Sequence, residues 1–202
     1  MRAEDNIPEL KFDNLSIERN SFADAYFIAH STISPIYLPI VKAGICVSLA
    51  VLSASVLPLY RTFFSGVVVP VIAISFFILL ALFFMVVWPG IIKGRGAKIF
   101  DSNQMMSLPF SVAFFKSFFE IQNEKEIIRE YWTEVDRSLE TKSMFIILGG
   151  QQRPLVLIEK KNLSDEQQNK LSTFLEKVLI FKHKKAKELF HNFFKSCGKK
   201  KG

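Results

Sequence analysis

At 202 residues, half of them hydrophobic and 21 of them phenylalanine, the chain has room for one ordinary domain, or for a small domain plus membrane elements. Its net charge of +7 is concentrated in Lys93, Arg95 and Lys98 and in the lysine-rich stretch 182–202, while the rest is slightly acidic, which excludes an extended nucleic-acid-binding face. The two cysteines, Cys46 and Cys197, lie far apart, which excludes a disulfide framework or a cysteine metal site and fits a reduced compartment.

Residues 1–34 open polar and acidic, unlike a cleavable signal peptide. In "ELKFDNLSIE" (9–18), Leu10/Phe12 and Leu15/Ile17 stand at strand spacing, interrupted by the turn-like Asp13-Asn14. Phe22, Tyr26, Ala29 and Ile33 then recur at helical spacing, which predicts a short amphipathic helix leading to the membrane. So short a strand is unstable alone and must join a sheet formed later in the chain.

Residues 35–92 read as a transmembrane hairpin. Neither 43–60 nor 62–92 contains a charge, and Arg61 alone separates them. A bilayer core needs about 20 apolar helical residues, so the first run supplies one span and the second exceeds one. Pro70 suits a helix start, and Trp88-Pro89-Gly90 reads as an interfacial aromatic followed by a helix stop, which places the spans near 38–58 and 69–89. Buried helices of a soluble protein usually carry a polar stripe, and "VVVPVIAISFFILLALFFMVV" has none. Lys42 sits at the margin of the first span, where its stem can snorkel; a charge in an ion path is the alternative. The collar Lys93, Arg95, Lys98 and the basic C-terminus outweigh Arg61, so both termini are expected in the cytoplasm.

Residues 93–181 change character. "KIFDS", "PFSVAFF" and "KSFFEIQ" read as short strands, "NEKE" (123–126) as a hairpin turn, and "IIREYW", "SMFIILGG" and "RPLVLIEKK" as further strands. Pro154 fits a strand start or an edge. Ser164 and Gln167 form a capping-box pattern, and Leu171, Phe174, Leu175 and Val178 give one apolar helical face. The expected class is α+β with a membrane part: a two-helix hairpin plus a small antiparallel sheet closed by a C-terminal helix. Trp132, Val135, Leu139 and Phe174 are its candidate core residues, with ligand stacking the alternative for Trp132.

This order resembles the YcxB-like family of bacterial membrane proteins over about residues 9–180. The likeness is carried by Tyr131-Trp132, Val135 and Leu139, then "MFIIL", a turn, "LVLIEKKNLS" and a final helix. The family's "I-P-K-x-x-F" stretch is replaced here by residues 158–163, which lack the proline and the aromatic. The resemblance implies a pleckstrin-homology-like module beneath the hairpin at the bacterial inner membrane, with no catalytic residues to carry over.

The sequence contains no HExxH, CxxC, Walker-type loop or GxSxG, and His30, His183 and His191 lack zinc-sharing spacing. Glu130, Glu134, Asp136 and Glu140 alternate with Arg129, Arg137 and Lys142, as a solvated rim does. No catalytic residue, metal or cofactor is expected. In the tail (182–202), Lys182, Lys184, Lys185, Lys187, Lys199, Lys200 and Lys201 flank an apolar side formed by Leu179, Ala186, Leu189, Phe190, Phe193 and Phe194. Together with the collar they predict a basic amphipathic helix on anionic lipid, with a solvated charge run as the alternative and Cys197 as an acylation candidate. The function expected is therefore a non-enzymatic inner-membrane protein whose cytosolic sheet domain binds a protein or lipid partner. An immunity protein against a membrane-acting toxin, or a transport or channel accessory, are the alternatives.

Overall fold

A computed structural model describes residues 7–32, 37–59, 68–103, 108–150 and 154–185. The chain forms two compact units: His30–Arg95, and a second made of Met1–Ala29 together with Gly96–Gly202.

The first unit is helical. Helix α1 (Arg19–Ser31) ends in it. Next comes α2 (Pro39–Ser55), part of a candidate span that reaches Leu59. The second long helix runs unbroken over Val68–Ser102 as α3 (Val68–Leu82), a π-helical turn (Phe83–Val87) and α4 (Trp88–Ser102). Only 17% and 6% of the two apolar stretches are buried, unlike core helices of a soluble protein. Small side chains let the helices approach: Ala43, Cys46 and Ala81 are buried with Leu80 and Phe84 against them.

The expected helix stop at Trp88-Pro89-Gly90 does not occur. Trp88 N–H donates to Phe83 O, five residues back, and this wider π turn absorbs the ring and the missing N–H of Pro89. In consequence "KIFDS" is helical and not a strand, and Lys93, Arg95 and Lys98 sit on the turns of α4 rather than in a loop.

The second unit is a two-sheet sandwich. In the first sheet β1 (Leu10–Leu15), β2 (Phe110–Phe114), β3 (Phe118–Gln122) and β4 (Ile127–Tyr131) lie in that order, all antiparallel. So β1, which precedes both long helices, pairs with β2, which follows them, through Leu10↔Phe114 and Phe12↔Val112. The register shifts between Phe12 and Leu15, where Asn14 takes a positive φ of 54°, at the turn-like break read from the sequence. The 123–126 turn forms as expected, Asn123 Oδ1 accepting from the N–H groups of Lys125 and Glu126 at 2.8 and 2.9 Å.

The second sheet has the order β7 (Pro154–Glu159), β6 (Met144–Gly149), β5 (Val135–Glu140), β8 (His183–Lys185). Pro154 is the first residue of an edge strand. The sheet is mixed, because β8 runs parallel to β5. This corrects the tail: Lys182, Lys184 and Lys185 belong to a strand and its approach, so the boundary at 181/182 cuts a sheet. Lys187, His191, Cys197, Lys199, Lys200 and Lys201 lie outside the described residues, as does the "QQ" turn.

Strand β6 is buried along its whole length because both faces of its sheet are covered. Phe145 and Ile147 face the inter-sheet core with Phe12, Leu15, Val112, Phe114 and Phe119; Met144, Ile146 and Leu148 pack with Phe22, Ala25 and Ala29 of α1. Thus α1 covers a sheet face. Helix α5 (Asp165–Val178), opened by the expected Ser164/Gln167 capping box, closes the core with Leu171, Phe174 and Leu175.

Candidate functional site

Trp132 lies in the short 3-10 turn Trp132–Glu134 that carries the chain from one sheet to the other. Its ring centroid is 4.9 Å from that of Phe119 and 5.8 Å from that of Phe174, and its Nε1–H donates to Phe115 O at 2.8 Å. It is buried in the core, as is Val135 beside it, and no face is left for a stacked ligand. Leu139 is equally buried but in the cluster beneath α1.

The charged block splits. Arg129 pairs with Glu120 and Arg137 with Asp136 at the surface, as a wet rim does. Glu140 does not belong to that rim. Its Oε1 accepts from Lys160 Nζ at 2.7 Å and its Oε2 from Ser172 Oγ at 2.8 Å. Burial pushes its carboxyl up, but the hydrogen bonds from Lys160 and Ser172 and the nearby charges outweigh burial and leave it below the usual carboxylate range. His183 completes the cluster, with Nδ1 3.1 Å from Ser138 Oγ and Nε2 3.5 Å from Glu140 Oε2. Burial, the largest influence, holds the imidazole below its ordinary value. Serine, histidine and carboxylate thus meet in one row, but Ser138 is 0% exposed and its hydroxyl is closed to any substrate. The sequence hides this cluster because His183 reaches Glu140 only through the parallel β5/β8 pairing.

Glu159, a buried carboxylate, accepts from Glu18 N–H at 2.8 Å where α1 begins, and pairs with Lys161 at 2.8 Å. It fixes α1 on the sheet.

One of several open hollows in the sandwich is a groove of about 320 Å³, the one with the most apolar side chains in its lining. Ile128 and Glu130 of β4 and Ile121 of β3 share one face of the first sheet, through the register Ile121↔Ile128 and Phe119↔Glu130. They line one wall, and Pro154–Leu157 of β7 line the other, over Ile17 and Phe22. Asn103, Asn123, Glu126 and Glu130 make a rim of amides and acids. Both β4 and β7 are edge strands among the described residues. Sequence reading missed the groove because it exists only where the two sheets diverge.

The basic residues expected to face lipid scatter. Lys182 Nζ donates to Val135 O at 2.7 Å and Lys185 pairs with Glu176 at 2.7 Å, so both also serve the fold. Lys184 is exposed on β8, and Lys93, Arg95 and Lys98 are on α4. Among the described residues, no three His, Cys, Asp or Glu side chains are placed to hold a metal. No family model, curated protein or solved structure matches the chain.

Proposed function

We propose that the chain is a non-enzymatic protein of the bacterial inner membrane, anchored by its two apolar helices with both termini cytoplasmic, whose pleckstrin-homology-like, YcxB-like domain captures an extended segment of a partner protein. The observation that carries this reading is the groove between β4 and β7. Its walls are apolar, its rim holds Glu126 and Glu130, and it runs beside two strands that are sheet edges among the described residues, whose backbone groups can pair with another chain. That combination suits an extended apolar segment with basic flanks better than an acyl chain, which has no use for strand edges. A second copy of β4 is disfavoured in two of its symmetric antiparallel registers: the one centred on Arg129 sets Arg129 against Arg129, and the one centred on Glu130 sets Glu130 against Glu130.

Strand β4 itself supplies the experiment. Ile128 faces the groove and Ile127 the opposite side. A photo-crosslinking residue at 128 in intact cells should yield a discrete protein adduct that one at 127 does not. Equal adducts from both positions, or lipid adducts alone at 128, would reject the protein-capture reading.

A further inference from the structure

The hairpin unit carries basic residues and no acidic ones. No Asp or Glu occurs in residues 25–100, so the unit His30–Arg95 contains no carboxylate. Two of its basic groups, from two helices, meet at the ring of Tyr37. Lys42 Nζ of α2 lies 4.1 Å from the ring centre of Trp88, 5.2 Å from that of Phe84 and 5.6 Å from that of Tyr37. The His30 ring, near the end of α1, lies 5.4 Å from that of Tyr37. Arg95 stands seven residues beyond Trp88 on α4, two turns along the same face of that helix. Burial depresses the basicity of His30 first, and the charges of Lys42 and of Arg95 depress it further.

The aromatic rings hold the Lys42 ammonium in place through cation–π attraction but supply no negative charge. Lys42, held beside Trp88 and Tyr37, and Arg95 thus stand in a unit that contributes no carboxylate to them. Tyr and Trp side chains gather at headgroup depth in membrane proteins. We infer that Lys42, Arg95 and His30, walled by Tyr37 and Trp88, bind the phosphate of an anionic phospholipid at the base of the hairpin. The inference rests on the membrane reading above and is independent of the groove.

The test uses the full chain, purified in mild detergent and returned to nanodiscs of phosphatidylcholine alone or with phosphatidylglycerol. Native mass spectrometry should show phosphatidylglycerol retained over phosphatidylcholine, and the unfolding temperature should rise in the mixed discs. Lys42→Gln with Arg95→Gln should lower that preference by about tenfold or more, while Lys125→Gln, an exposed turn residue in the other unit, leaves it unchanged. An unchanged unfolding temperature of the double variant in pure phosphatidylcholine shows that it still folds. Equal retention of the two lipids, or a preference that survives the double substitution, overturns the inference. Inorganic phosphate added to phosphatidylcholine discs separates the sources: if it stabilises the protein as well as phosphatidylglycerol does, the site takes free phosphate and the lipid assignment is wrong. Release of the chain from cell membranes by alkaline carbonate would overturn the membrane reading itself, an outcome distinct from a lack of lipid preference.

Discussion

Two glycines in the short run Gly94-Arg95-Gly96 of α4 face different surroundings, and a pair of alanine substitutions turns that into a measurement. A Cβ at Gly96 would stand 2.9 Å from Tyr26 Cβ and 3.1 Å from Ala23 Cα of α1, while one at Gly94 meets nothing within 4 Å. Carbon atoms rest at about 3.5–4.0 Å, so Gly96→Ala must push α1 back by roughly 0.6 Å. Because Ala23 presents backbone there, no rotamer change relieves the contact. Ala23 and Tyr26 lie about 100° around α1 from its sheet-facing side, so the displacement slides Phe22, Ala25 and Ala29 across Leu139, Met144, Ile146 and Leu148 and disturbs their packing. Overpacking of this kind costs about 1–3 kcal/mol, against a helix-propensity gain of about 1 kcal/mol for replacing glycine. Gly96→Ala should therefore lose about 1–2 kcal/mol, and Gly94→Ala should gain up to about 1 kcal/mol. At this chain length each kcal/mol moves the melting temperature by about 2–4 °C. Thermal unfolding in detergent, followed by near-ultraviolet circular dichroism, reads the difference. A Gly96→Ala protein as stable as Gly94→Ala would refute the close crossing of α1 and α4.

Three further outcomes are expected. Leu15→Ala, at a fully buried position of β1, should cost about 2–5 kcal/mol, and β2–β4 should lose hydrogen-exchange protection with it, although β2 begins only at Phe110; unchanged protection there would disprove the β1/β2 pairing. Trp132→Phe should cost about 1–3 kcal/mol, because it leaves the buried Phe115 carbonyl without its 2.8 Å donor, and Trp132→Ala about 3–5 kcal/mol, both by denaturant titration. Finally, stability should fall on acidification in two stages. The folded His183 has a lowered pKa and stays neutral while the unfolded chain takes up a proton, so stability declines below about pH 6.5; the lowered Glu140 adds a second decline below about pH 4.5. His183→Gln should shrink the first decline to the part contributed by His30, whose pKa is also lowered, and leave the second, as measured by unfolding midpoints between pH 8 and 3; an unaltered profile would remove His183 from this role.

The elements that sequence analysis located are those whose signals lie within one turn or one strand. Ser164 with Gln167, Asn123 at its turn, Pro154 at a strand start and the alternation of Leu10 and Phe12 are read from neighbours a few residues apart, and each is realised. The two apolar runs likewise announce helices long enough to span a bilayer, because length and composition suffice for that inference. The same local reasoning ended the second helix at Pro89. A π turn upstream let it continue, and nothing in the residues at 88–90 records that accommodation.

What only the tertiary structure decided are the pairings between distant segments. The amphipathic pattern of α1 predicted a membrane-leading helix, yet Phe22 and Ala29 are buried against β6, because a sheet apolar on both faces needs a second cover. Lysines 182, 184 and 185 promised a lipid-facing helix, but the free side of β5 takes His183–Lys185 as a parallel strand, and that pairing carries His183 to Glu140. In the same way, the groove, the sealed Ser138–His183–Glu140 row and the grouping of Lys42 with His30 at Tyr37 each depend on side chains that no periodicity relates. A sequence declares where a chain turns, caps and hides from water, because those preferences are local. Which side chains meet depends on the packing of elements far apart in the chain, and in this protein the sites proposed for binding lie there.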